Sequence, residues 1–362
     1  MYNHDGRVKN CIRSNETMPI GDLKHNTIEQ IVLGDTNIKR QQQIKSRTAV
    51  PSCHTCKDLE GNKTGFDIIS DRVFYIRELK KVPMDTYQTG NFDLQTIDIR
   101  WTNLCNFACV YCGPEFSSRW ASDLGQYSES PTQDQLDNFR SYIYDRAPQL
   151  RHVYLAGGEP LLMKENLELL DRLDPNVNLR INTNLSKVDT RVFERVCEFS
   201  NVHWTVSAET VEQEYEYIRY GGSWADFDSN LSYIQQRGHK ITFNMLWFLL
   251  NYESVFNFVD SMTARGFHAN SFVIGALLRP EYLNIRHLPK NVLNSLKHML
   301  DTRILSRPGY LLEDSYYNMR RYLDEPFEQN LPNSFQQLAL LDRRRGLDSS
   351  KIFESLYKFK EE

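Results

Sequence analysis

The sequence predicts an α/β protein: a partial (β/α)6 barrel of parallel strands, with a small N-terminal cysteine module before it and C-terminal helices after it. Three observations carry that prediction. From about residue 94 onward, short runs rich in β-branched and aromatic residues alternate with longer stretches of helical period. The alternation repeats six times, and strand–helix–strand units at this pitch build parallel sheets with right-handed crossovers. The chain has 362 residues, 40% apolar and 25% charged, which is ordinary globular usage at a length suited to two domains or to one large domain with appendages.

Residues 1–60 read as a separate module: a hairpin around Asp5-Gly6, a polar helix near 26–45, then Pro51-Ser-Cys-His-Thr-Cys56. Residues 61–93 are mixed and polar, punctuated by Gly61, Gly65, Pro83 and Gly90, and read as a linker. The core spans 94–287. Its strands are expected at 94–101, 152–156, 178–182, 202–207, 240–247 and 271–275, with helices near 131–147, 161–173, 188–200, 228–237 and 252–265. In such barrels the functional groups sit at the C-terminal ends of the strands. Residues 288–362 are helical and amphipathic. Their clearest basic cluster, Arg343-Arg-Arg345, reads as a solvated helix face rather than a phosphate site.

Lys and Arg number 43 against 47 Asp and Glu, so the basic footprint of a nucleic-acid binder is missing and no nucleic-acid partner is expected. The longest dense apolar stretch, Met245-Leu-Trp-Phe-Leu-Leu250, is far shorter than the roughly 20 residues of a membrane span, so no membrane association is expected. The first residues lack the apolar region of a secretory signal. The expected compartment is therefore the reducing cytoplasm, and the cysteines read as ligands rather than disulfides.

Three of the seven cysteines fall in one segment, Cys105-Asn-Phe-Ala-Cys109-Val-Tyr-Cys112, directly after the first core strand. Such spacing lets one loop present several thiolates to a metal centre. Structural zinc wants four protein ligands, and the segment holds no fourth Cys or His. Three thiolates on a [4Fe–4S] cluster would leave one iron open to a further ligand.

This CxxxCxxC loop, with Tyr111 just before its last cysteine, resembles the signature of the radical S-adenosylmethionine superfamily. Ala156-Gly-Gly-Glu-Pro160, after the second strand, resembles that family's GGEP element; glycines admit close backbone approach, and carbonyls with a carboxylate accept from an ammonium group. The resemblance implies that Cys105, Cys109 and Cys112 hold a catalytic [4Fe–4S] cluster. It also implies cofactor contacts from Tyr111, Gly157, Gly158, Glu159 and Pro160, from Asn182 and Asn184 after strand three, and from Ser207 and Glu209 after strand four. Arg219 would grip the cofactor carboxylate. Asn244 and Ile274 are the weaker candidates for adenine and ribose. Each has a plain alternative: a helix N-cap for the strand-end residues, a surface arginine, and ordinary core for the strand interiors.

The N-terminal pattern, with Cys11, a polar helix and Cys53-His-Thr-Cys56, resembles a SPASM/twitch auxiliary module placed before the barrel. Cys11, Cys53 and Cys56 would then bind a second, auxiliary [4Fe–4S] cluster. Zinc held by those three with His54 or His25 is the alternative. As a whole the resemblance implies an enzyme that reductively cleaves S-adenosylmethionine to a 5′-deoxyadenosyl radical, which abstracts hydrogen from a substrate. An electron donor such as flavodoxin or ferredoxin would serve it. A peptide or protein side chain is the favoured substrate, with a sugar or nucleotide-sugar as the alternative, and a non-catalytic iron–sulfur or zinc protein is the reading from another class. Cys197 lies outside both cysteine groups and reads as a small core-facing hydrophobe.

Overall fold

Six strands form a single sheet in sequence order: β3 (Thr96–Ile99), β4 (His152–Leu155), β5 (Asn178–Thr183), β6 (Val202–Ser207), β7 (Lys240–Trp247) and β8 (Phe272–Ala276). Each falls on the stretch expected for it, most of these being rich in β-branched or aromatic residues. The pairs β3–β4, β6–β7 and β7–β8 are parallel, so each successive strand needs a crossover, and helices supply it. The computed structural model describes residues 1–56, except 12, 13, 16, 47 and 55, and residues 94–360, except 128 and 308. The expected linker at 61–93 lies outside the described residues.

The chain forms two compact units. The first comprises Met1–Leu104, Tyr127–Arg180 and Thr190–Val202. In it the expected hairpin is present: Gly6 N–H donates to Asn3, Asn3 N–H donates to Arg7, and Tyr2 bridges Val8 antiparallel. Within that hairpin β1 (Arg7–Val8) also pairs antiparallel with β2 (Gly21–Asp22). Tyr2 meanwhile bridges Ile99 in parallel, with its ring buried 4.4 Å from Phe139 and 6.5 Å from Trp101. The first residues thereby extend the β3 edge and share its aromatic core. The polar helix is two helices, α1 (Ile28–Val32), started by a Thr27/Gln30 capping box, and α2 (Asp35–Lys45), with the break at extended Gly34.

In sequence order the next helices of this unit are α4 (Gln133–Arg146), α5 (Lys164–Leu170) and α6 (Arg191–Cys197); α3 belongs to the second unit. Thr190 caps α6, and Val192, Phe193 and Val196 form its buried stripe. Cys197 is its last residue and is half-buried, not the fully core-facing hydrophobe expected, because the inward stripe runs out one residue earlier.

The second unit comprises Cys105–Gln126, Ile181–Asp189 and His203–Glu362. It holds α3 (Ser118–Leu124), α7 (Glu212–Ile218), α8 (Trp224–Gln235), α9 (Val255–Ala264), α10 (Lys290–Ser306), α11 (Glu313–Tyr322) and α12 (Leu331–Arg345). Phe243 of β7 pairs in register with Phe272 of β8, and its ring meets Phe258 of α9 and Phe267 at 5.1 and 4.9 Å. By the two-residue period of a strand, Met245 and Ile274 share this helix-facing side, while Asn244 and Val273 face away from α9. The C-terminal helices are present as expected. Tyr217 Oη donates to Asp342 of α12 at 2.7 Å. Among the described residues, no helix is long and apolar enough to cross a membrane.

Candidate active site

The cysteine loop is held by the helix that follows it. Ser117 caps α3 by accepting from Trp120 N–H, and left-handed Gly125 ends it. That start places four successive side chains against the loop backbone. Ser118 Oγ accepts from Cys105 N–H at 3.1 Å and meets the Cys105 carbonyl at 3.3 Å. Arg119 donates to the Asn106 carbonyl at 3.0 Å, Ser117 to Phe107 at 2.5 Å and the Trp120 indole to Cys109 at 2.8 Å. Ala108 and Val110 donate their N–H groups to the carbonyls of Tyr220 and Ile218 at 2.9 and 2.8 Å. With its main chain paired in this way, the loop is a fixed scaffold for three sulfurs.

Cys105 Sγ accepts from Phe107 N–H at 3.5 Å and lies 4.0 Å from Asn184 Nδ2. Cys109 Sγ lies 4.0 Å from Arg219 Nη1. A hydrogen bond from Cys112, followed by the Arg219 charge, holds the Cys109 thiol below its usual pKa despite burial. The same bond, with burial, pushes Cys112 well up. At Cys109 this favours the thiolate, the form that binds metal. Among the described residues, no three His, Cys, Asp or Glu side chains gather closely enough to hold a single ion. A [4Fe–4S] cube takes each thiolate at a different iron, so this donor set suits it without such convergence.

Beneath the loop lies a buried polar network. Arg219 Nε and Nη2 meet Glu209 Oε2 and Oε1 at 2.8 and 2.5 Å, and Tyr111 Oη donates to Glu209 Oε1 at 2.9 Å. Both charged residues are almost wholly excluded from solvent, at 3% and 1% exposure. Burial works against the arginine's charge, but the Glu209 carboxylate paired with it outweighs burial and holds its pKa well up. Burial also raises Tyr111, so its phenol stays protonated and donates. Arg219 is therefore not a surface arginine. Two nitrogens of Arg219, the residue expected to grip a cofactor carboxylate, are engaged by Glu209, and the third stands beside Cys109.

Asn184 Nδ2 donates to Asn106 Oδ1 at 3.1 Å, and its Oδ1 accepts from Ser186 N–H, so it ties the end of β5 to the cysteine loop. Among the described residues, buried Asn182 Oδ1 has no hydrogen-bond partner. A buried acceptor of this kind is open to a donor from water or a bound molecule. Ser207 and Asn244 are register partners across β6 and β7, with Asn244 on the exposed face turned from α9. Ile274 is buried on the helix-facing side beside Met245, so its side chain is core, and the strand period gives the open face to Val273 instead.

In the first unit, Gly157 is left-handed at φ 122°, and a Cβ on Gly158 would stand 2.2 Å from the Leu104 carbonyl oxygen. Glu159 N–H donates to that same oxygen at 2.7 Å. The close approach these glycines permit is thus to the chain's own backbone just ahead of Cys105. Glu159 is fully buried, and its Oε1 accepts from Leu161 N–H, capping a single turn at Pro160–Leu162. The Pro160 carbonyl accepts from Asn166. At the N-terminal cysteines, Asn15 N–H donates to Ser52, joining the Cys11 loop to the Cys53 turn, and Arg40 feels both Cys53 and Cys11. Cys56 is buried, while His54 and His25 are exposed. Among the described residues, Ser14 Oγ and Ser52 Oγ, next to these loops, are buried without hydrogen-bond partners.

Two parts of the site escaped the sequence. The α3 clamp had a local signal, a serine three residues before a large apolar residue directly after the loop. Arg345 had none. It was expected in a solvated face, yet it is half-buried, donates to the Ala108 carbonyl, and lies 4.9 Å from the Trp120 ring and 4.5 Å from Tyr220.

Residues 99–262 match the Radical SAM superfamily. No curated protein matches the sequence. Among solved structures, the chain is similar to native anSMEcpe with bound AdoMet at 15% identity, covering 59% of this chain and 62% of that one with a TM-score of 0.41. It is similar to Streptococcus suis SuiB bound to precursor peptide SuiA at 15% identity, covering 76% and 61% with a TM-score of 0.43. A structure of TYW1 with a lysine-pyruvate adduct gives 13% identity, 65% and 90% coverage, and a TM-score of 0.37. The chain spans about three fifths of the length of the first two.

Proposed function

We infer that this chain, a radical S-adenosylmethionine enzyme by its domain at 99–262, uses Cys105, Cys109 and Cys112 as the ligands of a catalytic [4Fe–4S] cluster and acts on a peptide or protein side chain. The observation that carries the cluster assignment is the loop itself, whose main chain is paired around three sulfurs directly after β3. When bound, the cluster and S-adenosylmethionine supply reductive cleavage and a carbon radical able to abstract hydrogen, chemistry that belongs to the cofactors.

The chain's own residues bind, orient and exclude. Arg219, neutralised by Glu209, keeps a positive field beside Cys109 without exposing a charge to water. Asn182 offers an acceptor with no partner among the described residues, and Ser207 and Asn244 flank the open sheet face, so these three are the proposed contacts for the nucleoside and methionine parts of the cofactor. Gly157, Gly158, Glu159 and Pro160 act chiefly by fixing the backbone that leads into the cysteine loop. Cys11, Cys53 and Cys56 are proposed ligands of an auxiliary [4Fe–4S] cluster, a reading supported by the bond from Asn15 N–H to Ser52 that joins the Cys11 loop to the Cys53 turn. The resemblance of that segment to an auxiliary module is also what favours a peptide over a sugar. A one-electron donor such as flavodoxin or ferredoxin, in a reducing cytoplasm, fits this chemistry.

The direct test of the open iron is electron paramagnetic resonance of the dithionite-reduced, reconstituted protein. Adding S-adenosylmethionine should change the cluster signal. An unchanged signal, in protein shown to carry one cluster on these cysteines, would count against cofactor binding at that iron.

A further inference from the structure

Six consecutive carbonyls, from Cys105 to Val110, each meet a donor side chain. Four of these donors are residues 117–120, close in sequence. The Val110 carbonyl has a long contact, 3.5 Å, from Tyr282 Oη. The Ala108 carbonyl, in the middle of the run and between two of the clamped residues, is reached by Arg345 Nη2, from 237 residues away at the last position of α12. Ala108 is wholly buried, so without that donor its oxygen would have no water to turn to. The guanidinium sits against Trp120 and Tyr220, the residues that hold the neighbouring Cys109 carbonyl and the Ala108 N–H. Its partners are carbonyls and aromatic faces, an arrangement that suits a planar fork.

We propose that Arg345 is a positioning residue of the cysteine loop, fixing the backbone on the N-terminal side of Cys109 so that the retention of the cluster depends on the C-terminal helix. The inference rests on the reading of Cys105, Cys109 and Cys112 as cluster ligands. Groups that orient metal ligands in this way commonly matter almost as much as the ligands. A purely architectural role, docking α12 on the unit, makes a different prediction. That docking also uses the Tyr217 Oη bond to Asp342, which touches no loop carbonyl.

The test compares R345A, R345K and Y217F as reconstituted holoproteins, measuring iron release to a ferrous chelator and the resonance spectrum of the reduced cluster. R345A should release iron roughly tenfold faster than the parent and show an altered spectrum, in line with lost support behind metal ligands. R345K, which keeps a cation able to reach one carbonyl, should fall between. Y217F should lose thermal stability yet keep the parental spectrum and release rate. Equal release from R345A and Y217F, or a parental spectrum in R345A, overturns the proposal. If R345A fails to fold, the same comparison is read from R345K, with faster release than Y217F supporting the proposal and equal release overturning it. A parent protein that takes up no cluster on Cys105, Cys109 and Cys112 overturns the functional reading itself.

Discussion

Arg219 and Glu209 form a two-pronged ion pair that is almost completely buried, and its third guanidinium nitrogen stands 4.0 Å from the sulfur of Cys109. The pair brings a positive charge to a thiol in the protein interior while Glu209 offsets the cost of burying it. Removing one partner of such a pair leaves an uncompensated charge, which typically costs about 3–5 kcal/mol.

Glu209→Ala should therefore destabilise the protein by about that amount in chemical denaturation, and Arg219→Ala should do likewise. A double Glu209→Met, Arg219→Met variant should recover much of the loss, since apolar replacement of a buried pair is often close to neutral. Additive losses in the double variant would show that the two residues do not act as a pair.

Gly158→Ala would place a methyl 2.2 Å from the Leu104 carbonyl oxygen, a contact that only backbone movement relieves. Overpacking of this kind costs about 1–3 kcal/mol. The strain falls on the residue before Cys105, so the variant should fold with reduced stability and incorporate iron poorly. Parental stability and parental iron content together would show that the close approach is dispensable.

The N-terminal cysteines are tested by metal content. Anaerobically reconstituted protein should hold about eight irons per chain, two four-iron cubes, and a Cys11, Cys53, Cys56→Ala triple variant about four. About one zinc and a single cube in the parent would instead assign those cysteines to a structural zinc site.

Cys197→Ala should leave product formation intact, because a half-buried thiol at the end of a helix is placed by packing beside Val196 and Phe193 rather than by chemistry. Loss of turnover with cofactor cleavage preserved would show that the thiol takes part in the reaction.

The strands were legible because each carries its own signal. Lys240–Trp247 alternates polar and apolar residues as far as Met245 and carries Ile241, Thr242, Phe243 and Trp247, and the structure starts and ends β7 at those residues. Helices α3 and α7 were not. Helix α3 has seven residues, two of its sides engaged by the cysteine loop, and α7 starts at Glu212 in a left-handed conformation (φ 54°) with no side-chain cap. Helix α3 therefore has a capping serine but no long periodic run, and α7 lacks the usual start signal. The cysteine spacing was legible because it lies within one short segment of sequence. The pairing of Arg219 with Glu209 and the reach of Arg345 to Ala108 are set by the fold, and a short basic run on a helix carries no mark that distinguishes its last arginine from the first two. The side of the sheet that Ile274 faces was not legible, because it depends on which neighbours cover the strand.

The central claim is that Cys105, Cys109 and Cys112 together hold a cluster that cleaves S-adenosylmethionine. The most direct measurement is the formation of 5′-deoxyadenosine by the anaerobically reconstituted protein with S-adenosylmethionine and dithionite, beside the single variants Cys105→Ala, Cys109→Ala and Cys112→Ala. The parent should form 5′-deoxyadenosine and methionine in equal amounts, and each variant, though folded, should form neither; parental yields from any of the three would contradict the assignment.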